Sequence, residues 1–407
     1  MTETVSDDVA AAIGRLVVAR DRDECVVGRP DLGVYVAVPE PGAVFVECLQ
    51  SGGSLAEATA LASEAAGAEV DGPDFLDGLA AAGLLDPPGQ VAAATGRSRQ
   101  IRWIEGVSPN VARRLFGRTA WTLYCAAAAF AVGILLLRPD LRPSFEDSWW
   151  LPDPGLSVLL LIPIWFLVAG VHEAWHWLAG RAVGVPAVFR VSYRGAFLVF
   201  ETDLTQIVTV PRHKRYSPFL AGMAIDSVWL ATALGLRLAN RTTAIILPGT
   251  MDRLLAALVL TLIYGLVWQF AAVFMRSDMY AVLANALRCN DLYRATLLTN
   301  KDRLWRLSPQ ETEELATISE HDRRVARWFG VVNLAGMLAV GWVFLAWIVP
   351  FLLGMVVWVP GNLLSPDPTS VAFWESVALI LVTLGQIAGP VLLALRERRL
   401  QRTGALR

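Results

Sequence analysis

Six apolar stretches, 119–137, 156–180, 218–236, 254–275, 328–348 and 372–394, limit what this chain can fold into. Each approaches the ~20 residues that a helix needs to cross a bilayer. Composition points the same way: 55% of residues are hydrophobic, 18% are charged, and the mean hydropathy is +0.48. A mostly α, polytopic membrane protein with about six transmembrane helices is therefore predicted. The apolar piece 243–250 is too short to span, and Val349–Pro360 reads as a loop or re-entrant piece.

Orientation follows from the basic residues, because loops rich in Lys and Arg stay in the cytoplasm. Arg97, Arg99, Arg102, Arg113 and Arg114 precede the first span, and Arg396, Arg398, Arg399, Arg402 and Arg407 follow the last. The segments 181–217 and 276–327 are also basic, whereas 349–371 carries Asp367 as its one charge. Six spans with both termini cytoplasmic satisfy this pattern, as expected for a multi-pass protein of a bacterial cell membrane. The net charge of −2 gives no reason to expect a nucleic-acid partner. Cys25, Cys48, Cys125 and Cys289 are scattered, so neither a disulfide framework nor a zinc knuckle is predicted. Residues 1–24 are polar, acidic and alanine-rich, unlike a secretory signal, and the first insertion signal is expected after residue 115.

Residues 1–90 read as a small α+β, winged-helix-like domain. Val34–Val38 and Ala43–Leu49 read as short strand-like segments around a Pro39-Glu40-Pro41-Gly42 turn. Two helices are predicted after them: Ser54–Ala66, with Ser54 as its cap, and Phe75–Ala82, stopped by Gly83. A basic connector occupies 91–117, a membrane core 118–297, a cytoplasmic loop 298–327, and C-terminal membrane helices with a basic tail 328–407.

The second apolar stretch contains His172-Glu173-Ala174-Trp175-His176. Two histidines and an acid at membrane depth are costly, and such residues usually mark function. Histidines at i and i+4 share a helix face, the spacing of zinc-binding HExxH helices, in which the glutamate is the general base. They lie about 6–12 Å from the predicted cytoplasmic end of the span. A catalytic zinc needs a third protein ligand and an open position. Two acids are candidates: Asp226, ~12 Å into the third span, and Asp278, at the end of the fourth. Depth alone slightly favours Asp226. Between the second and third spans, Val188–Tyr193 and Ala196–Glu201 alternate like a β-hairpin around Arg194-Gly195.

HEAWH within a span followed by AGRAVGV resembles the HExxH…RxxGV signature of site-2-protease-type (M50) intramembrane metalloproteases. PRHKRYSPFLAGMAIDSVWL is similar to that family's next helix, with its alanine-glycine pair. FMRSDMYAVLANALRCNDLYRA resembles the aspartate block of the peptide zinc metalloprotease branch. The resemblance covers about residues 156–297. It implies Zn²⁺ held by His172, His176 and Asp278, Glu173 as catalytic base, Asp226 in a supporting or alternative place, and a hairpin near the site. Trp175 and Met279 stand where the family pattern often has glycine.

Residues 10–88 resemble PqqD-like domains, which capture the leaders of ribosomally made, modified peptides by strand addition. Together the two resemblances imply an intramembrane zinc endopeptidase that cuts a precursor peptide during maturation or export. Peptide-modifying enzymes or a transporter are its implied partners. Two alternatives remain open: a site-2-type protease that releases a membrane-anchored regulator, and a non-catalytic membrane subunit that binds peptides.

Overall fold

A computed structural model describes residues 7–21, 24–86, 107–185, 187–194, 197–343, 345–346, 349, 353, 360–364 and 367–402. The protein is mostly α, and its described residues fall into two compact units.

One unit is built from residues 1–113, 177–215 and 388–407. After helix α1 (Asp7–Ile13), strands β1 (Val17–Asp21), β2 (Glu24–Arg29) and β3 (Val34–Val38) form an antiparallel sheet in the order β1-β2-β3. Val17 pairs with Gly28, and Cys25 with Val38. Helices α2 (Glu40–Gln50), α3 (Leu55–Ala66) and α4 (Gly72–Ala81) follow. Ile13, Val27, Phe45, Val46, Ala62, Leu79 and Leu84 form the core.

Two sequence expectations change here. Ala43–Leu49 lies within helix α2 and is no strand, because Pro39-Glu40-Pro41-Gly42 starts a helix instead of turning a hairpin. Pro39 is the extended N-cap, a proline sits in the first turn, and Glu40 supplies an acid there. Val34–Val38 pairs instead with Glu24–Arg29, which in turn pairs with Val17–Asp21, and neither of these strands is among the segments expected from the sequence. Another local expectation is met. Ser54 caps α3 in a capping box with Glu57. The second helix starts three residues earlier than expected, at Gly72, because Asp71 accepts from the Asp74 N–H and caps it. Buried Arg29 donates to Asp31, to the Leu84 carbonyl and to the Asp86 carbonyl, tying β2 to the exit from α4.

The same unit holds a second sheet, β4 (Val188–Arg194) paired antiparallel with β5 (Phe197–Asp203). The expected strand pair forms, with the second strand at Phe197–Asp203 in place of Ala196–Glu201, and Gly195 and Ala196 lie outside the described residues. So do Arg97, Arg99 and Arg102 of the connector, most of Val349–Pro360, and Arg407.

The other unit spans residues 114–176 and 216–387. Past α5 (Pro109–Leu115), the remaining helices are α6 (Arg118–Leu137), α7 (Pro154–Ala182), α8 (Arg212–Arg241), α9 (Gly249–Ala271), α10 (Asp278–Ala286), α11 (Leu292–Leu304), α12 (Pro309–Thr317), α13 (Glu320–Val343) and α14 (Val371–Arg402). Among the described residues, five segments are long and apolar enough to cross a membrane: Pro109–Leu137, Gly155–Ala182, Arg212–Arg241, Gly249–Ala271 and Glu320–Trp342. The sixth predicted span falls on α14, whose apolar part, Val371–Gly385, is shorter.

Ile134 of α6, Leu230 and Leu234 of α8, and Val259 and Leu262 of α9 form one buried cluster. Asp252 accepts from Arg237 and Arg241, fastening the end of α8 to the start of α9. Leu292 and Leu298 of α11 pack with Val325 and Phe329 of α13 in a second cluster.

The fourth predicted span, 254–275, ends early. Helix α9 stops at Ala271, a 3-10 turn covers Val273–Met275, and Arg276 takes a left-handed conformation with φ 60°. Asp278 is therefore the first residue of a separate helix and not the end of a span.

Candidate metal centre

Helix α7 presents His172 and His176 one turn apart, as the i, i+4 spacing requires. Nε2 of His172 and Nε2 of His176 are 3.2 Å apart. Oδ2 of Asp278 lies 3.0 Å from the first and 3.1 Å from the second. Ligand-type atoms of His172, Glu173 and His176 also lie within 4.8 Å of one another. All four sequence-predicted residues thus meet in one place, and all belong to one compact unit.

The opposite edge of each ring is fixed by the protein. Nδ1 of His172 is 2.7 Å from Oδ2 of Asp226, and Nδ1 of His176 is 2.7 Å from the carbonyl oxygen of Pro218. Both partners are acceptors, so a neutral ring donates from Nδ1 and keeps its lone pair on Nε2. The two lone pairs and a carboxylate oxygen then converge with no proton between them. Such a triangle fits a cation. Three ligand atoms around one tetrahedral zinc stand about 3.3 Å apart, close to the spacing here. Asp226 therefore occupies the position of a carboxylate that orients a ligand histidine, while Asp278 faces the converging atoms.

Local sequence explains how Asp278 is delivered. Ser277 caps α10 by accepting from the Tyr280 N–H, and its hydroxyl donates to the Gln269 carbonyl at 2.9 Å. The side-chain oxygen of Gln269 accepts from the Asp278 N–H at 3.0 Å. A polar clamp on the last turns of α9 thereby holds the first residue of α10.

Gly222, one turn before Asp226 on α8, lies against the His172 ring. A Cβ at position 222 would come within 2.3 Å of Nε2. Any side chain there would displace the ring. Trp175 points to other work: its Nε1 donates to the Tyr124 hydroxyl at 3.0 Å, which donates to the Leu115 carbonyl at 3.1 Å. It ties α7 to α6.

Gly222, Gln269, Ser277 and Pro218 were not singled out as site residues from the sequence. Gln269 left a signal, since an amide within an apolar stretch is costly unless it has a partner. Pro218 acts through its backbone carbonyl, which leaves no side-chain signature. A separate apolar cavity of about 470 Å³ is lined by Phe145, Trp149, Leu161, Trp165 and Leu258 among others, and none of its described lining residues is ionisable. Comparison with family models, curated proteins and solved structures returns no match.

Proposed function

We propose that this chain is an intramembrane zinc endopeptidase. The observation that supports it most is the triangle of His172 Nε2, His176 Nε2 and Asp278 Oδ2, with Glu173 beside the two histidines. Two imidazoles and a carboxylate leave a fourth position open, as catalytic zinc requires. Bound zinc would supply a Lewis acid that polarises a peptide carbonyl and acidifies water. His172, His176 and Asp278 would hold the ion, and Asp226 and the Pro218 carbonyl favour the tautomer of each ring that leaves Nε2 free to bind it. Glu173 accepts the proton of the attacking water and returns it to the departing amine.

The substrate in this proposal is a precursor peptide. The three-stranded sheet of the N-terminal elements and the hairpin β4–β5 offer strand edges, and an extended peptide binds such edges through its main chain. Six spans with both termini cytoplasmic, α14 supplying the sixth, remain the topology that suits the arginine distribution.

Glu173→Gln decides the mechanism. Purified full-length protein would be given a precursor peptide encoded beside its gene, and zinc content measured in parallel. Zinc retention with loss of cleavage is expected. Cleavage at the wild-type rate with zinc still bound would overturn the role of Glu173.

A further inference from the structure

Cys289, His321 and Asp322 bring ligand-type atoms within 4.8 Å of one another, and none of them belongs to the HEAWH site. Local structure explains how they meet. Helix α10 closes with Arg288 in the left-handed region at φ 57°, the Arg288 N–H bonded to the Asn285 carbonyl, and the Cys289 N–H bonded to the Ala284 carbonyl. This ending turns Cys289 inward, where it is buried. His321 and Asp322 open helix α13, and the Asp322 N–H donates to the Ser319 hydroxyl.

Each group is already oriented. Oδ2 of Asp322 accepts from the backbone N–H of Asn290 at 3.0 Å and of Asp291 at 2.7 Å. A carboxylate has about four lone-pair positions, so this capping does not exhaust it. Nε2 of His321 lies 2.8 Å from the Leu287 carbonyl, to which it donates. A neutral ring then carries its lone pair on Nδ1, and a ring N–H bonded to a backbone carbonyl is how ligand histidines are commonly held. A buried thiol explains Cys289 and a helix cap explains Asp322. The Cys289 thiol donates to the same Leu287 carbonyl as His321, at 3.7 Å, so one peptide group gathers the sulfur and the exposed imidazole beside the Asp322 carboxylate.

We infer that Cys289, His321 and Asp322 form a second zinc site, distinct from the HEAWH centre. Thiolate, imidazole and carboxylate are all zinc ligands, and the exposed side of His321 leaves the fourth position to water. An ion there would pin the turn between α10 and α11 to the start of α13. Helix α10 carries Asp278 at its other end, so the second ion would brace the element that completes the first site.

The test is cobalt titration of metal-free full-length protein in detergent. The HEAWH centre contains no sulfur, so a thiolate-to-cobalt charge-transfer band reports on a cysteine site alone. The band is expected in the wild type and in His176→Ala, and lost in Cys289→Ser. The exposed residue gives a second variant that should fold: His321→Ala is expected to lose about one equivalent of bound zinc. Absence of the band from the wild type, its persistence in Cys289→Ser, or unchanged zinc content in His321→Ala would each overturn the inference. Loss of the HEAWH reading alone would leave the band intact.

Discussion

Asp226 Oδ2 stands 2.7 Å from Nδ1 of His172, on the edge of the ring turned away from Asp278. The two acids thus address opposite nitrogens of one imidazole. Replacing Asp226 with Asn should weaken zinc binding by about 10–100-fold without abolishing it, the usual cost of losing a partner behind a ligand. Competition with a chelator measures this, and complete loss of zinc would instead make Asp226 a ligand.

Asp278→Ala should behave differently. It removes a ligand atom itself, so the variant should retain less zinc than Asp226→Asn under the same chelator. Equal retention in the two variants would contradict the assignment.

Gly222→Ala inserts a methyl where the His172 ring sits. Overpacking of this kind costs about 1–3 kcal/mol. Here the strain falls on a ligand ring, so zinc affinity should drop together with thermal stability. Unchanged affinity would show that α8 can retreat from α7.

Trp175→Phe removes the hydrogen bond to Tyr124 and leaves the ligand atoms in place. A stability loss of about 0.5–1.5 kcal/mol is expected, with zinc content near the wild-type level. Loss of zinc in this variant would tie Trp175 to the centre directly.

In the N-terminal elements, hydrogen bonds from Arg29 hold the Asp31 carboxyl below its ordinary value, against an opposing effect of burial. A depressed folded value means that the unfolded chain takes up the proton first as pH falls. The contribution is complete above pH about 4 and is lost as pH falls through the depressed value. The Asp31 side chain is 41% exposed, so solvent screening keeps the effect below about 1 kcal/mol. Hydrogen exchange in strand β2 between pH about 5 and about 3 should register it, and Asp31→Asn should flatten the slope.

The spacing of His172 and His176 was legible because a helix converts i, i+4 into proximity without help from the rest of the fold. Ser54 with Glu57 was equally legible, since a capping box is complete within four residues. Strands β1 and β2 were hidden by their own chemistry: Arg20, Asp21, Glu24 and Arg29 interrupt the apolar alternation that marks a strand. Pro39-Glu40-Pro41-Gly42 misled because proline and glycine serve both turns and helix starts. Depth arithmetic favoured Asp226 for a different reason. Depth fixes height along a helix and says nothing about which edge of an imidazole an acid will face. That choice depends on the break at Arg276, which Gln269 and Ser277 stabilise from a distance in sequence.

The close approach at Gly222 also bears on how far α7 and α8 can part. Only a hydrogen stands between α8 and the His172 ring of α7, so the two helices touch at the candidate centre. Separating them would strip Asp226 from His172 and the Pro218 carbonyl from His176 in one movement.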